Sequence, residues 1–150
     1  MIKKEAVDLF IQQKNVAIAG VSRNPKKFGF MVFNEMKKSG FNVYPVNPNA
    51  SDIEGTKCYN DIADVPDDVA SVVIATAKPE TEKSVESAIQ KGIKHIWIQQ
   101  NSQTPKAIET AEKAGVNLVS KECIFMFIEP VSSVHKFHRF INKVFGKYPK

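Results

Sequence analysis

The sequence predicts an α/β protein: a single doubly wound, mainly parallel sheet of about five strands with helices on both faces. Three observations carry this. Short apolar runs (NVAIAG, ASVVIAT, HIWIQQ) alternate with amphipathic helical stretches. Several of those runs are apolar throughout, as strands covered on both sides must be. The helical stretches begin and end at residues that start and stop helices. Right-handed crossovers then wind such a chain into one open sheet. The 150 residues suffice for one core, and residues 1–150 read as one domain without repeat or low-complexity tract.

Taken in order, an N-terminal helix at about residues 1–13 is read from KEAVDLFIQQK, whose Val7, Phe10 and Ile11 share a face. NVAIAG follows as a strand ending in Gly20. FGFMVFNEMKKSG is helical, with Phe28, Met31, Val32 and Met36 expected on the inner stripe and Gly40 as its stop. NVYPVNP is a strand that Pro45 and Pro48 make short, or place at an edge. DIEGTKCYNDIADVPDD reads as a turn-rich connection with one helical turn at Asp61–Asp64. ASVVIAT is the third strand. KPETEKSVESAIQKG is a helix with Pro79 near its start, Glu80 and Glu82 at its positive end, and Lys91 and Gly92 closing it. HIWIQQ is the fourth strand, with Trp97 as a core residue. TPKAIETAEKAG is a helix capped by Thr104 and stopped by Gly115, and VNLVS is the fifth strand. The apolar segment Cys123–Pro130 reads as buried without a defined element. Residues 131–147 read as a terminal helix with Val134, Phe137, Ile141 and Val144 inward.

Composition narrows the function classes. The chain is 43% hydrophobic and 25% charged, as globular proteins are. No apolar run approaches the ~20 residues of a membrane helix, and the N-terminus lacks the pattern of a secretory signal, so a cytoplasmic location is expected. Cys58 and Cys123 form neither a disulfide framework nor a zinc pattern, and no metal ligands are read. The net charge of +5 permits nucleic acid without indicating it. In the basic tail, Phe137, Ile141 and Val144 fit helical core spacing better than a nucleic-acid face. Arg23, Lys26, Lys27, Lys37 and Lys38 form a second basic cluster beside the first predicted turn.

In doubly wound sheets a ligand binds outside the carboxyl ends of the strands, at the switch point. GVSRNPKKFG, NPN, TAKPE and QQNSQTP all fall at that edge. Gly20 allows a sharp turn, Ser22 is small and carries a hydroxyl, and the following helix start offers free N–H groups to an anion. Arg23, Lys26 and Lys27 add cations for further phosphate charge. A NAD site expects a carboxylate roughly 20 residues after the glycine turn. Here the second strand ends Val46-Asn47-Pro48-Asn49, without one. Its absence suits a ligand with a phosphorylated adenosine ribose, which both NADP and coenzyme A carry.

GVSRNPKKFG, YPVNPN, VVIATAKPE, GIKHIWIQQ and AEKAGVNLVSKECI together resemble the small stand-alone CoA-binding proteins, which are similar to the CoA-binding domain of the succinyl-CoA synthetase alpha subunit. The resemblance runs from about Val16 to Ile124. It implies a Rossmann-like coenzyme A site in which Ser22, Arg23, Asn24 and Pro25 hold the phosphates; Gly20 and Val21, which lead into that loop, are counted with the cofactor-binding residues. It places Asn47 and Pro48 beside the adenosine, and Thr76, Ala77, Lys78 and Pro79 along the cofactor. Gln99, Gln100 and Asn101 fall near the pantetheine arm, though family members commonly carry a small residue there. Lys27 is added on electrostatic grounds as a phosphate partner. The synthetase's phosphohistidine domain and beta subunit have no counterpart in this sequence, so no ligase chemistry is assigned. The expectation is non-catalytic binding of free or acylated coenzyme A by a sensor, carrier or regulator, with no nucleic acid or membrane partner. A protein partner or homo-oligomer is left open. The alternatives are an NADP-binding oxidoreductase, and a thioester-acting enzyme using Cys123 with His135 or His138.

Overall fold

The computed structural model describes residues 4–128. The terminal helix read over 131–147, with His135 and His138, lies outside them. Five parallel strands form the sheet: β1 (Asn15–Ala19), β2 (Asn42–Val46), β5 (Ser71–Ile74), β6 (His95–Gln99) and β7 (Asn117–Glu122). Their order is β2-β1-β5-β6-β7, with the switch between β1 and β5. This is the doubly wound arrangement the sequence predicts. β3 (Asp52–Ile53) and β4 (Thr56–Lys57) form a small antiparallel hairpin in what reads from sequence as a turn-rich connection.

Side chains alternate across the sheet with the period of an extended chain. Val16 and Ile18 of β1, Val73 and Trp97 face α1 (Lys4–Ile11), α2 (Phe28–Lys38) and the segment Cys123–Ile128. Ala17, Ala19, Val72, Ile74, Ile96 and Ile98 face α3 (Lys78–Lys91), α4 (Pro105–Lys113) and the 3₁₀ turn Ile62–Asp64. Trp97 is fully buried against Phe10, and its Nε1–H donates to Glu122 O. Thr104 caps α4 by accepting from Ala107 N–H, and Gly92 closes α3 in the left-handed conformation.

The inner face of α2 differs from the expected stripe. Gly29, Phe30, Val32, Phe33 and Met36 are buried, whereas Phe28 and Met31 are about 40% exposed. The α2 sequence is apolar nearly all round at its start, so periodicity alone does not choose a face. A backbone contact chooses it. A Cβ on Gly29 would overlap the carbonyl oxygen of Gly20, so only glycine lets α2 seat this closely. With residue 29 inward, residues 32, 33 and 36 follow at i+3, i+4 and i+7.

Both margins of the sheet are modified. On β2, Pro45 has no N–H to offer, its carbonyl accepts from Tyr59 N–H, and Val46 bridges to Tyr59. On β7, Lys121 sits at φ 66° as an extra residue between Ser120, which pairs Ile98, and Glu122, which pairs Gln99. No helix among the described residues is long and apolar enough to cross a membrane.

Candidate functional site

The carboxyl ends of β1, β2 and β5 open into a cleft of about 570 Å³. That is within the range of small-molecule sites, at the position where open α/β sheets bind ligands. One wall is the turn after β1. Gly20 adopts φ +91°, and a Cβ there would stand 2.5 Å from Ala75 O, so β1 and β5 converge through a glycine. Gly20 therefore makes the sharp turn and Gly29 makes the close helix–strand approach. These are the first and last roles in a dinucleotide fingerprint, met without its three-glycine spelling.

The loop between those glycines is internally braced. Ser22 Oγ accepts from Asn24 N–H at 3.0 Å, and Asn24 Oδ1 accepts from Lys26 N–H at 3.0 Å. Asn47, after β2, donates from Nδ2 to Val21 O at 2.7 Å and accepts Asn49 N–H on Oδ1 at 2.8 Å. Its side chain thus pins the first loop to the second. No side chain caps the start of α2 or of α3, where Lys27 and Ala77 occupy the capping positions. At each helix start the first N–H groups lack a side-chain acceptor and carry the positive end of the helix dipole.

The loop after β5 is tied to the loop after β6 by hydroxyls. Thr76 and Thr81 hydroxyls share a hydrogen bond of 2.9 Å, Thr81 Oγ1 donates to Ser102 O at 2.7 Å, and Ser102 Oγ donates to Thr76 O at 2.7 Å. Opposite the β1 turn, the wall is Asn60, Asp61 and Ile62 with Glu80, Lys83, Ser84 and Ser87 of α3. Asp61 accepts from Ala63 N–H at 2.9 Å and from the Ser87 hydroxyl, both on Oδ1. The Ala63 N–H first, then the Ser87 hydroxyl, hold its carboxyl below the ordinary value, with Lys83 adding to the pull.

Of the residues the sequence singles out, Gly20, Val21, Ser22, Asn47, Pro48, Thr76 and Ala77 meet in this cleft. Arg23, Asn24, Pro25 and Lys27 are exposed on the β1–α2 loop, off the cleft wall. Arg23 reaches to the β3–β4 hairpin, donating to Asp52 O at 3.2 Å and Asp52 Oδ1 at 3.3 Å. Lys78 and Pro79 are exposed in the first turn of α3. Gln99, Gln100 and Asn101 are off the wall as well. Gln99 is 2% exposed and its Oε1 accepts from Ile124 N–H at 3.0 Å, while Gln100 N–H donates to Glu122 O. Cys123 is buried, and that burial pushes its thiol above the ordinary value. His95 begins β6, at the opposite end of the sheet from the cleft.

Sequence reasoning missed Gly29 and the α3 wall. The signal for the wall is present: Glu80, Lys83, Ser84 and Ser87 are a polar stripe at i, i+3, i+4 and i+7, beside the buried stripe Thr81, Val85 and Ala88.

Residues 14–129 match the family described as the CoA binding domain. The chain is 43% identical over 123 residues to acetate–CoA ligase (ADP-forming) II of Archaeoglobus fulgidus, covering 74% of this chain and 18% of that protein. It is 26% identical over 129 residues to the alpha subunit of acetate–CoA ligase (ADP-forming) II of Pyrococcus furiosus, covering 79% of this chain and 28% of that subunit. It thus spans under a third of these curated relatives. A solved hypothetical protein from Pyrococcus horikoshii superposes with a TM-score of 0.77 at 31% identity, covering 83% of this chain and 87% of that one.

Proposed function

The chain belongs to the CoA-binding domain family, and on that premise we propose that its cleft takes coenzyme A, free or acylated, without itself making or breaking a bond. The observation that carries the reading is the β1–α2 turn. Gly20 and Gly29 bring a helix start without a side-chain cap close to the strand ends, and the N–H groups of such a start suit a phosphate. In this reading the pyrophosphate lies against Gly20, Val21 and Ser22, with the Ser22 hydroxyl free to donate because its oxygen, not its proton, is engaged by Asn24. Arg23, Lys26 and Lys27 supply cations on the same loop, with Asn24 and Pro25 shaping it. Pro48 and the Asn47 turn flank the adenosine, and Thr76, Ala77, Lys78 and Pro79 line the path toward Gln99, Gln100 and Asn101 at the pantetheine end.

In this reading the protein serves as a sensor, carrier or regulator. The thioester-acting alternative has little support. Cys123 is 9% exposed, its thiol is pushed up by burial, and it is not on the cleft wall. Such a thiol holds little thiolate at neutral pH.

Calorimetric titration with coenzyme A, dephospho-CoA, acetyl-CoA and NADP in parallel tests the reading. Coenzyme A and acetyl-CoA are expected to bind alike, and dephospho-CoA more weakly. Binding of NADP alone would overturn it.

A further inference from the structure

The α3 wall of the cleft has a chemistry of its own. Asp61 stands just before the 3₁₀ turn Ile62–Asp64 and lines the cleft. The Ala63 N–H and the Ser87 hydroxyl both donate to Oδ1, and the Ile62 N–H also draws on the carboxylate. The backbone and α3 thus anchor the carboxylate through Oδ1, and neither the Ala63 nor the Ser87 hydrogen bond uses Oδ2. An ionised carboxylate accepts hydrogen bonds and donates none. The cleft joins this polar wall to apolar surface: Val46 is 6% exposed and Ile62 2% exposed, and both line it together with Ala19 and Ala75. The charged neighbours on this wall are Glu80 and Lys83, so with Asp61 the wall carries a net negative charge and disfavours a phosphate.

A fixed acceptor beside apolar surface calls for a flat group with an N–H edge. We propose that Asp61 Oδ2 accepts a hydrogen bond from the exocyclic amine of the ligand's nucleobase, so that the base lies toward α3 and the phosphates toward Gly20. This rests on the coenzyme A reading and deepens it. It gives the cleft a polarity, with the anion-seeking helix start on one side and an anion-repelling carboxylate on the other. It also makes Asp61 a specificity residue, since a 6-oxo purine would set its carbonyl oxygen against Oδ2.

The test is calorimetric titration of the full chain with adenosine 3′,5′-bisphosphate and inosine 3′,5′-bisphosphate, alongside coenzyme A. The wild type is expected to prefer the 6-amino compound by about tenfold or more, as a buried unpaired acceptor would cost. In Asp61→Asn, the amide oxygen still accepts from Ala63 and Ser87, but Nδ2 now offers protons where Oδ2 offered lone pairs. The preference is expected to collapse or reverse toward the 6-oxo compound. A merely structural Asp61 would change both affinities together. Equal affinity of the wild type for the two bisphosphates, which a ribose contact by Asp61 would give, overturns the proposal even if the variant does not fold. So does an unchanged ratio in Asp61→Asn. Absence of coenzyme A binding in the wild type would instead overturn the parent reading.

Discussion

Replacing Gly20 by Ala isolates the feature on which the cleft depends. Two costs apply. At φ +91° an L-residue with a Cβ occupies the left-handed region, which costs about 1–2 kcal/mol. The new Cβ would also stand 2.5 Å from Ala75 O and 2.7 Å from Ala75 C. Those atoms are backbone of β5, held by the hydrogen bond from Ala75 N–H to Ala19 O at 2.9 Å, so they do not swing away as a side chain would. Forced overpacking of this kind typically costs about 1–3 kcal/mol. Together the substitution should destabilise by about 3 kcal/mol, or about 10 °C in Tm for a domain of this size. Gly40→Ala is the control: its φ is +93°, and a Cβ there meets nothing within 4 Å. It should lose only the conformational part, about 1–2 kcal/mol. Thermal unfolding of both variants, with coenzyme A titration of each, gives the comparison. Gly20→Ala should also lose binding, because the shift moves the helix start, whereas Gly40→Ala should keep it. Equal losses in the two variants would refute the close approach as the constraint.

Two further perturbations follow from the contacts described. His95 Nδ1 lies 3.3 Å from Asn117 Nδ2, which also donates to Ala6 O at 2.9 Å, and burial holds the imidazole pKa below its ordinary value. A depressed pKa favours the neutral ring in the fold. Its stabilising contribution is present above the unfolded value of about 6.5 and is lost as pH falls through the folded value. Urea midpoints should therefore drop between pH 7.5 and pH 5, and His95→Gln should flatten that slope; a variant with the wild-type slope would assign the loss elsewhere. Arg23 is held to Asp52 by a pair in which both side chains are more than half exposed, so the pair itself adds about 0–1 kcal/mol of stability. Asp52→Asn should leave Tm within a few degrees but tighten coenzyme A by a few fold, by releasing a guanidinium to the phosphates. Weakened binding in that variant would show that Asp52 positions Arg23 rather than competing for it.

The sheet was legible because β1, β5 and β6 are central: both faces are covered, and a strand with no wet face is written as an unbroken apolar run. Pro45 likewise marked β2 as a margin. The β3–β4 hairpin escaped because two-residue strands leave no alternation to read, although Glu54-Gly55, both at positive φ, is a turn signature in retrospect. The rotation of α2 was not legible, because FGFMVF is apolar on every side and the deciding contact is between two backbones. The cleft was half legible. Turns at strand ends are recognisable by position, so Gly20, Ser22, Asn47 and Thr76 could be named. Asp61 and the α3 stripe arrive from a connecting turn and a helix face, and only the packing of Ile62 and Val85 in one core brings them to the sheet edge. Gln99 ends β6, and its side-chain oxygen accepts from Ile124 N–H, a contact that no spacing in the sequence announces.

The outer strands have a consequence for the protein at high concentration. An open sheet invites a neighbour to add a strand, and repetition of that step makes fibrils. Among the described residues, Pro45 and the Tyr59 bridge occupy the upper part of the β2 margin, and Lys121 kinks β7. Replacing Pro45 would return a backbone N–H to the β2 margin and make the protein more prone to polymerise there.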